Sequence, residues 1–453
     1  MTQVSDLSHH TIQLPEGGMV LVLDTGAVIT AEDQAMLGAM HSRSIGGIHR
    51  HLLKLAKSGS GNFMSQFYVG YGHKSIADMG GACVFIEDVS MLTAKAIQDF
   101  PLYNGQEAST RYIDFADQRF IDPLNTLWSS EMLESWRSFY LEGLEVMQPI
   151  LRERYPFIEA TDGQEKNYAK AIKARAFDTM RSFLPAGAST NLVWVGPLRQ
   201  FADQLPLLRN HPLSEVRDIA HAIEAALIQT FPNSFSQKRY EETEEYVLEC
   251  QDFYAYFEDP SIIEFGCTHD AIRMNRLAEY REAFTRRPSR MIELPWRVRE
   301  CGTMEFSFRL DFASFRDLQR HRSVTIPMPL LTMDLGFEPW YLNELPDDFC
   351  EKAEQLLERQ RGACRAISDP YLQQYYLPMG YQVPIRMTGD LRALTYLVER
   401  RARNDVHPTL RHRAGQIGDF LMEKHGPHRL VLHREEDADR FSLARGNHDI
   451  VER

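Results

Sequence analysis

The sequence has few cysteines and no long apolar run. Its six cysteines include no Cys-x-x-Cys pair, so zinc has no ligand framework, and reduced thiols are expected. No metal site is therefore predicted. No stretch approaches the eighteen apolar residues of a membrane span, and the first residues carry neither a basic start nor an apolar core. We expect a cytoplasmic protein without a membrane partner.

Positive charge is also scarce. The 453 residues contain 50 Lys and Arg against 63 Asp and Glu, a formal net charge of -13. This balance disfavours non-specific binding of nucleic acid or of an anionic membrane surface. Any anionic ligand has to meet a local cluster of arginines, because the field of the whole chain opposes it.

Two common cofactor motifs are missing as well. Neither a Walker loop nor a Gly-x-Gly-x-x-Gly fingerprint occurs, so a Rossmann site for a flavin or nicotinamide dinucleotide is not indicated. No cysteine stands in an obviously electropositive setting of the kind that makes a reactive nucleophile. The hydrophobic content of 43% is nevertheless that of a folded protein, and the length leaves room for two domains.

Secondary-structure patterns occur twice in the same order. An apolar run over 81–90 predicts a strand, and the spacing after it predicts a helix that ends before Pro101. Apolar residues at every fourth position predict a helix over 218–231. Later, alternation over 304–312 predicts a second strand, followed by a short helix, a proline-containing loop and two helices over 389–403 and 407–427.

Short sequence pairs support an internal duplication. Leu184-Pro185 recurs as Leu377-Pro378 and Leu198-Arg199 recurs as Leu391-Arg392, both 193 positions later. His211-Pro212 recurs as His407-Pro408. We therefore predict two repeats, 1–258 and 259–453, with an insertion at about 116–165 in the first repeat.

Three polar groups alternate in the loop before the insertion. Glu107, Ser109 and Arg111 point the same way if the segment is extended, which suits a phosphate or a pyrimidine edge. An ordinary polar loop explains the same residues. Arg320-His321-Arg322 is likewise open to two interpretations, cations favoured at a helix C-terminus or an anion clamp.

Further basic residues have the same ambiguity. Arg400, Arg401 and Arg403 suit a solvated helix face or a ligand site, and the arginines between 281 and 299 are expected on solvated surface. His73 precedes the first strand and suits a packing, capping or binding role.

Together these motifs resemble the flavin-dependent thymidylate synthases (ThyX). That family carries a GH-x-S-x-x-E segment and an arginine signature that begins RHR. GHKSIAD at 72–78 matches the first, with Asp78 where glutamate is usual. The first repeat keeps the end of the signature, QEASTRY at 106–112, but has 99–101 (DFP) where RHR is expected. The second repeat keeps RHR and departs afterwards, at Thr325, Pro327 and Met328.

Two further family arginines divide in the same way. Arg181 stands before Leu-Pro in the first repeat, where the second has Gln374. Arg401 stands on the later helix of the second repeat, where the first has a leucine, Leu207 or Leu208. In the family, one chain supplies the RHR arginine and the arginine of the later helix. Its neighbour supplies the end of the signature and the arginine before Leu-Pro. The resemblance therefore implies a fused pseudo-dimer with one composite pocket between the repeats, and a homodimer that mimics the ThyX tetramer.

The resemblance also implies the fold and the chemistry. We expect an α+β protein of two tandem ThyX-like units, each a small antiparallel sheet covered by helices. The implied reaction is reductive C5 methylation of dUMP, with FAD as redox carrier and with methylenetetrahydrofolate and NADPH as co-substrates. Alternatives are alkylation or hydroxymethylation of another pyrimidine nucleotide, and a non-catalytic nucleotide-binding paralogue.

Residue roles follow from the same resemblance. The resemblance assigns nucleotide binding to Glu107, Ser109, Arg111, Arg181, Arg320 and Arg401. Arg320 and Arg401 are also the catalytic candidates. An arginine near the pyrimidine carbonyl would stabilise charge and remove the need for a covalent cysteine. Flavin contacts are assigned to His73, Ser75, His321, Arg322, Arg392 and His407.

Overall fold

The computed structural model describes most of the chain. The described residues are 9–24, 29–42, 47–70, 72–110, 113–159, 164–235, 238–289 and 292–435. Within these ranges no helix is both long enough and apolar enough to cross a membrane.

Strands and helices are interspersed along the described part of the chain. The strands are β1 His9–Gln13, β2 Met19–Leu23, β3 Gly81–Ser90, β4 Gly105–Glu107, β5 Ser189–Pro197, β6 Gly266–Asp270, β7 Thr303–Asp311 and β8 Gln382–Asp390. The helices up to β6 are α1 Ala31–His41, α2 Gly47–Ser58, α3 Gly61–Phe63, α4 Met91–Gln98, α5 Leu127–Arg154, α6 Glu165–Met180, α7 Leu198–Arg209, α8 Ser214–Thr230 and α9 Glu241–Tyr254. Those after β6 are α10 Met274–Leu277, α11 Arg281–Arg286, α12 Phe312–Leu318, α13 Pro339–Glu344, α14 Asp347–Cys364, α15 Pro370–Gln373, α16 Leu391–Arg401 and α17 Pro408–His425.

Shorter helical segments join these elements. Met64–Gly70 is a π-helical segment, and the 3₁₀ turns are Lys74–Met79, Arg181–Phe183, Ala278–Tyr280, Trp296–Cys301, Gln374–Tyr376 and Gly426–His428.

The chain divides into two compact units. The N-unit comprises 1–113, 118–123 and 188–255, and its core is an antiparallel sheet in the order β1-β2-β3-β5-β4. Strand β3 forms where the apolar run predicts it, and alternate residues in its first part are buried. Helix α8 packs on β1 and β2. The buried faces of α8 and the sheet form the core of this unit.

The C-unit comprises 114–117, 124–187 and 256–453. Its sheet has three antiparallel strands in the order β6-β7-β8, and α17 packs on β7. The long helix α5 belongs to this unit, because the Trp136 indole donates to the Tyr376 carbonyl at 3.0 Å and Phe139 stacks on Phe349 at 4.7 Å between ring centroids.

Small antiparallel sheets covered by helices confirm the predicted fold class. The compact units do not coincide with the predicted halves 1–258 and 259–453, since 124–187 packs with the C-terminal half. The segment assigned to an insertion thus contributes α5 to the C-unit core. The repeat boundary is a statement about duplicated sequence and stays a prediction.

Element order repeats at a fixed spacing. One series consists of the turn Arg181–Phe183 followed by β5, α7 and α8. The second series has the same order and consists of the turn Gln374–Tyr376 followed by β8, α16 and α17. The first three members of each series begin 193 residues apart. The last residues of β3 and β7, Ser90 and Asp311, both cap the helix that follows. This is the pattern that a duplication predicts.

Candidate functional site

Three of the predicted nucleotide arginines converge on one acidic residue in the C-unit, Asp317. Asp317 lies in the last turn of α12, which begins at the cap Asp311. Its carboxylate is 3.8 Å from Arg181 Nη1 and 3.6 Å from Arg320 Nε. Arg401 Nη2 donates to the Asp317 backbone carbonyl at 2.7 Å. Residues from both predicted repeats thus meet within one compact unit, and we call this group the arginine cluster.

The cluster keeps Asp317 ionised. Burial raises the pKa of this carboxyl, but Arg320, Arg181 and Arg401 outweigh burial and hold the pKa well below its usual range. The Asp317 side chain is 30% exposed and that of Arg320 49% exposed. The arginines therefore carry excess positive charge at a partly open position, which suits an anionic ligand.

Arg181 is the buried member of the cluster. Its side chain is 9% exposed, and its Nη2 donates to Ser314 Oγ at 3.3 Å. Its Nε is buried without a hydrogen-bond partner among the described residues. Burial lowers the pKa of this guanidinium, but the effect of Tyr341 and Asp317 is larger and the pKa lies above its usual value. Arg181 is therefore permanently charged. A fixed cation with an unused donor is a candidate anion ligand.

A network of hydroxyl and carboxylate groups surrounds Ser314, the hydrogen-bond partner of Arg181. Thr409 Oγ1 donates to Asp311 at 2.6 Å and lies 2.8 Å from Ser314 Oγ. Tyr341 donates to Asp311 at 2.8 Å. These groups fix Ser314, the hydrogen-bond partner of Arg181. No sequence motif marked them, since single Ser, Thr and Tyr residues carry no characteristic spacing.

His321 contacts the cluster as a neutral acceptor. Arg401 Nε donates to His321 Nε2 at 2.7 Å. Burial and the adjacent Arg401 lower the pKa of His321 to about 3. The imidazole therefore carries no charge at neutral pH, and its role here is to orient the Arg401 guanidinium.

The other predicted flavin residues of the second repeat are engaged within the C-unit. His407 is buried, its Nε2 donates to the Asp178 carbonyl at 3.1 Å, and its Nδ1 lies 2.9 Å from Thr409 Oγ1. Burial and Arg181 lower its pKa well below the usual value. Arg392 donates to the Leu294 carbonyl at 2.9 Å and pairs with Glu293, whereas Arg322 is half-buried.

In the N-unit, Glu107 belongs to a closed internal triad. Its carboxylate lies 2.6 Å from Lys95 Nζ, and both side chains are at most 1% exposed. Gln98 bridges the pair, accepting from Lys95 and donating to Glu107. Ser109 is exposed two positions later, and Arg111 lies outside the described residues. Glu107 and Ser109 therefore do not form one exposed row, because the Glu107 side chain is buried and Ser109 is exposed.

His73 lines a cavity in the same unit. The cavity has a volume of about 560 Å³, and its lining combines imidazole, basic and aromatic side chains, among them Arg50, His51, Lys54, Phe63, Phe67 and His73. His51 is 1% exposed, and neither of its ring nitrogens has a hydrogen-bond partner among the described residues. Ser75 lies nearby in sequence and is exposed.

Sequence inspection gave no role to the basic residues of α2. Arg50 and Lys54 are four positions apart and thus share a face of this helix, a signal that was available from spacing alone. Among the described residues, no group of three or more His, Cys, Asp and Glu is placed to hold a metal ion.

Comparison with known families identifies the N-terminal part. Residues 32–233 match the model of the thymidylate synthase complementing protein family, which is ThyX. This segment, which is less than half of the chain, is similar to that family. It contains His73, Glu107, Ser109 and Arg181, and it confirms the family resemblance of the sequence motifs.

Relatives extend over most of the chain. A UPF0159 protein of Chlamydia muridarum is 25% identical over 87% of this chain and 88% of its own length. UPF0159 proteins of Thermoplasma acidophilum and Chlamydia pneumoniae are 24% and 25% identical, over 78% and 77% of this chain and 84% and 76% of their own lengths. Residues 32–233 thus lie in a longer chain, and these relatives match most of its length.

Proposed function

We propose that the chain is a flavin-dependent thymidylate synthase-like enzyme that methylates C5 of dUMP reductively, with methylenetetrahydrofolate, FAD and NADPH. The observation that carries the proposal is the arginine cluster. Arg181, Arg320 and Arg401 were assigned to one nucleotide by family resemblance, and they meet around Asp317 in the C-unit. The ThyX match over 32–233 supports the same chemistry.

The cluster has the donors that a nucleotide monophosphate requires. Guanidinium groups bind phosphate oxygens through paired, charge-assisted hydrogen bonds. Arg320 is half exposed and supplies the accessible cation, while Arg181 is held in place by its hydrogen bond to Ser314. Arg401, oriented by His321, is the candidate for stabilising negative charge on the pyrimidine carbonyl, which makes C5 nucleophilic without a covalent cysteine.

The lining of the N-unit cavity contains the kinds of groups that bind a flavin. Arg50 and Lys54 suit the pyrophosphate, Phe63 and Phe67 suit an aromatic ring system, and the unpartnered His51 offers a hydrogen bond. When bound, FAD would supply the redox chemistry of the reaction. The role of the protein residues is to hold it and to keep its ring oriented. His73 is the residue assigned to flavin that lines this cavity.

The nucleotide site is tested by Arg320→Ala. Loss of one charge-assisted bond should weaken dUMP binding by about 1.5 to 3 kcal/mol, or roughly 10- to 150-fold. Isothermal titration calorimetry measures the affinity, and Arg365→Ala, which removes an exposed arginine elsewhere in the C-unit, serves as the control. Equal affinity in wild type and Arg320→Ala would remove Arg320 from the site.

The flavin is tested by absorption between 300 and 550 nm, before and after incubation with FAD and dUMP. Flavin bands near one per chain, with a methylated product from dUMP, support the enzyme. Assays with dCMP and UMP distinguish the related enzyme that acts on another pyrimidine nucleotide.

A nucleotide-binding protein without catalysis is the second candidate. The closed Lys95–Glu107–Gln98 triad favours it, because a carboxylate paired inside the N-unit is not available to a ligand in this arrangement. Retained dUMP binding without flavin uptake under any condition would establish this candidate and exclude the enzyme.

A further inference from the structure

Helix α9, Glu241–Tyr254, lies on the N-unit without a buried side. None of its 14 residues is buried. It is held by Glu244, which accepts from Arg209 at 2.8 Å and from Asn210 at 3.3 Å. Helices in folded proteins are stabilised mainly by packing of an apolar face. A helix with no buried residue leaves most of its apolar side chains available to another molecule.

The apolar face of α9 is an aromatic stripe. Tyr246, Cys250, Phe253 and Tyr254 stand at positions i, i+4, i+7 and i+8, so they share one side of the helix. The three aromatic residues are 67%, 76% and 79% exposed in that order. Aromatic residues exposed together in this way mark a surface that binds a partner.

Charge defines the partner. Helix α9 carries six acidic residues and no basic one, namely Glu241, Glu242, Glu244, Glu245, Glu249 and Asp252. Two copies of this helix repel each other, which disfavours pairing of α9 with α9. The complementary surface has to be rich in arginine, because arginine also stacks on exposed aromatic rings.

The chain itself carries such a surface. Residues 273–299 contain eight arginines and three acidic residues. Arg287 is buried, and Arg276 and Arg299 form ion pairs with acidic side chains. Arg281, Arg286 and Arg297 are exposed in this arginine segment. Trp296 is 69% exposed and has the Arg297 guanidinium 5.9 Å from its ring centroid. The segment therefore offers both cations and an aromatic ring.

We propose that α9 of one copy docks on the arginine segment of a second copy. If a two-fold axis relates the copies, the contact occurs twice in the dimer. The acidic and basic faces steer association and make it sensitive to salt, while the aromatic stripe supplies the apolar area.

The first test is the oligomeric state, measured by size-exclusion chromatography with light scattering over a range of protein concentrations. Wild type is expected as a dimer at about 50 mM salt and is expected to dissociate more readily near 500 mM, because salt screens the opposed charges. Tyr246→Ser with Phe253→Ser should weaken the dimer at least about tenfold. Leu127→Ser, which alters a residue 87% exposed on α5, should not. Circular dichroism melting verifies that each variant is folded.

The second test is a charge exchange. Glu245→Lys with Glu249→Lys, and separately Arg281→Glu with Arg286→Glu, should each give monomers. Mixing these two variants should restore a dimer, since the altered surfaces attract again. A monomeric wild type, α9 variants that dimerise like wild type, or a mixture that stays monomeric would each overturn the proposal. Binding of a foreign basic protein by monomeric wild type would point to a partner other than a second copy.

Discussion

Asp317 partly neutralises the arginines that surround it. Because Arg320, Arg181 and Arg401 hold its pKa well below the usual range, the carboxylate is ionised and competes with an incoming anion. Asp317→Asn keeps the shape of the side chain and removes the charge. We expect phosphate to bind about five- to tenfold more tightly, equivalent to roughly 1 to 1.4 kcal/mol. Calorimetric titration with inorganic phosphate measures the change.

Asp419→Asn provides the matched control, because Asp419 is 72% exposed and pairs with Arg434 away from the cluster. Weaker phosphate binding in Asp317→Asn would show that the carboxylate positions the arginines and does not compete. The sequence predicted the three arginines through family motifs but not Asp317. An acidic residue on a short helix has no distinguishing pattern, and its importance arises only from the side chains that the fold places around it.

At the scale of elements, α5 shows a limit of local patterns. An apolar run predicted β3, alternation predicted β7, and apolar residues at every fourth position predicted α8. Each of these elements buries residues within its own unit. The segment 116–165 was assigned to an insertion in the first repeat, whereas α5 packs in the C-unit. Its partners Tyr376 and Phe349 lie more than 200 residues away in sequence, and helical periodicity does not specify a partner at that distance.

Trp136→Phe tests how α5 is held. The substitution removes the indole donor and leaves the Tyr376 carbonyl buried without this hydrogen bond, which should cost about 1 to 3 kcal/mol. Urea unfolding, followed with probes in both compact units, measures the loss. Trp128→Phe on the same helix is the control, since Trp128 is 40% exposed. Equal stability of the Trp136→Phe variant and wild type would mean that this bond does not hold the helix.

At the scale of the whole molecule, buried histidines make the fold sensitive to acid. Burial, assisted by Arg217 and by Arg401, lowers the pKa of His211 and of His321 to about 3, and burial lowers that of His407 well below its usual value. The unfolded chain takes up these protons near pH 6.5, whereas the folded chain does not. Their contribution is therefore complete above about pH 6.5 and declines as the pH falls toward 3.

His321→Gln isolates one of these contributions. Glutamine can still accept a hydrogen bond from Arg401 but does not titrate, so it keeps the contact and removes the proton. A group with this shift costs about 1 to 2 kcal/mol of stability between pH 7 and pH 5. Urea unfolding at the two pH values should show the difference for wild type and a difference smaller by that amount for His321→Gln. His412→Gln, which alters an exposed histidine, should behave like wild type. If His321→Gln loses as much stability on acidification as wild type, His321 is not the neutral acceptor described for the arginine cluster. The orientation of Arg401 then has to be explained by Asp317 alone.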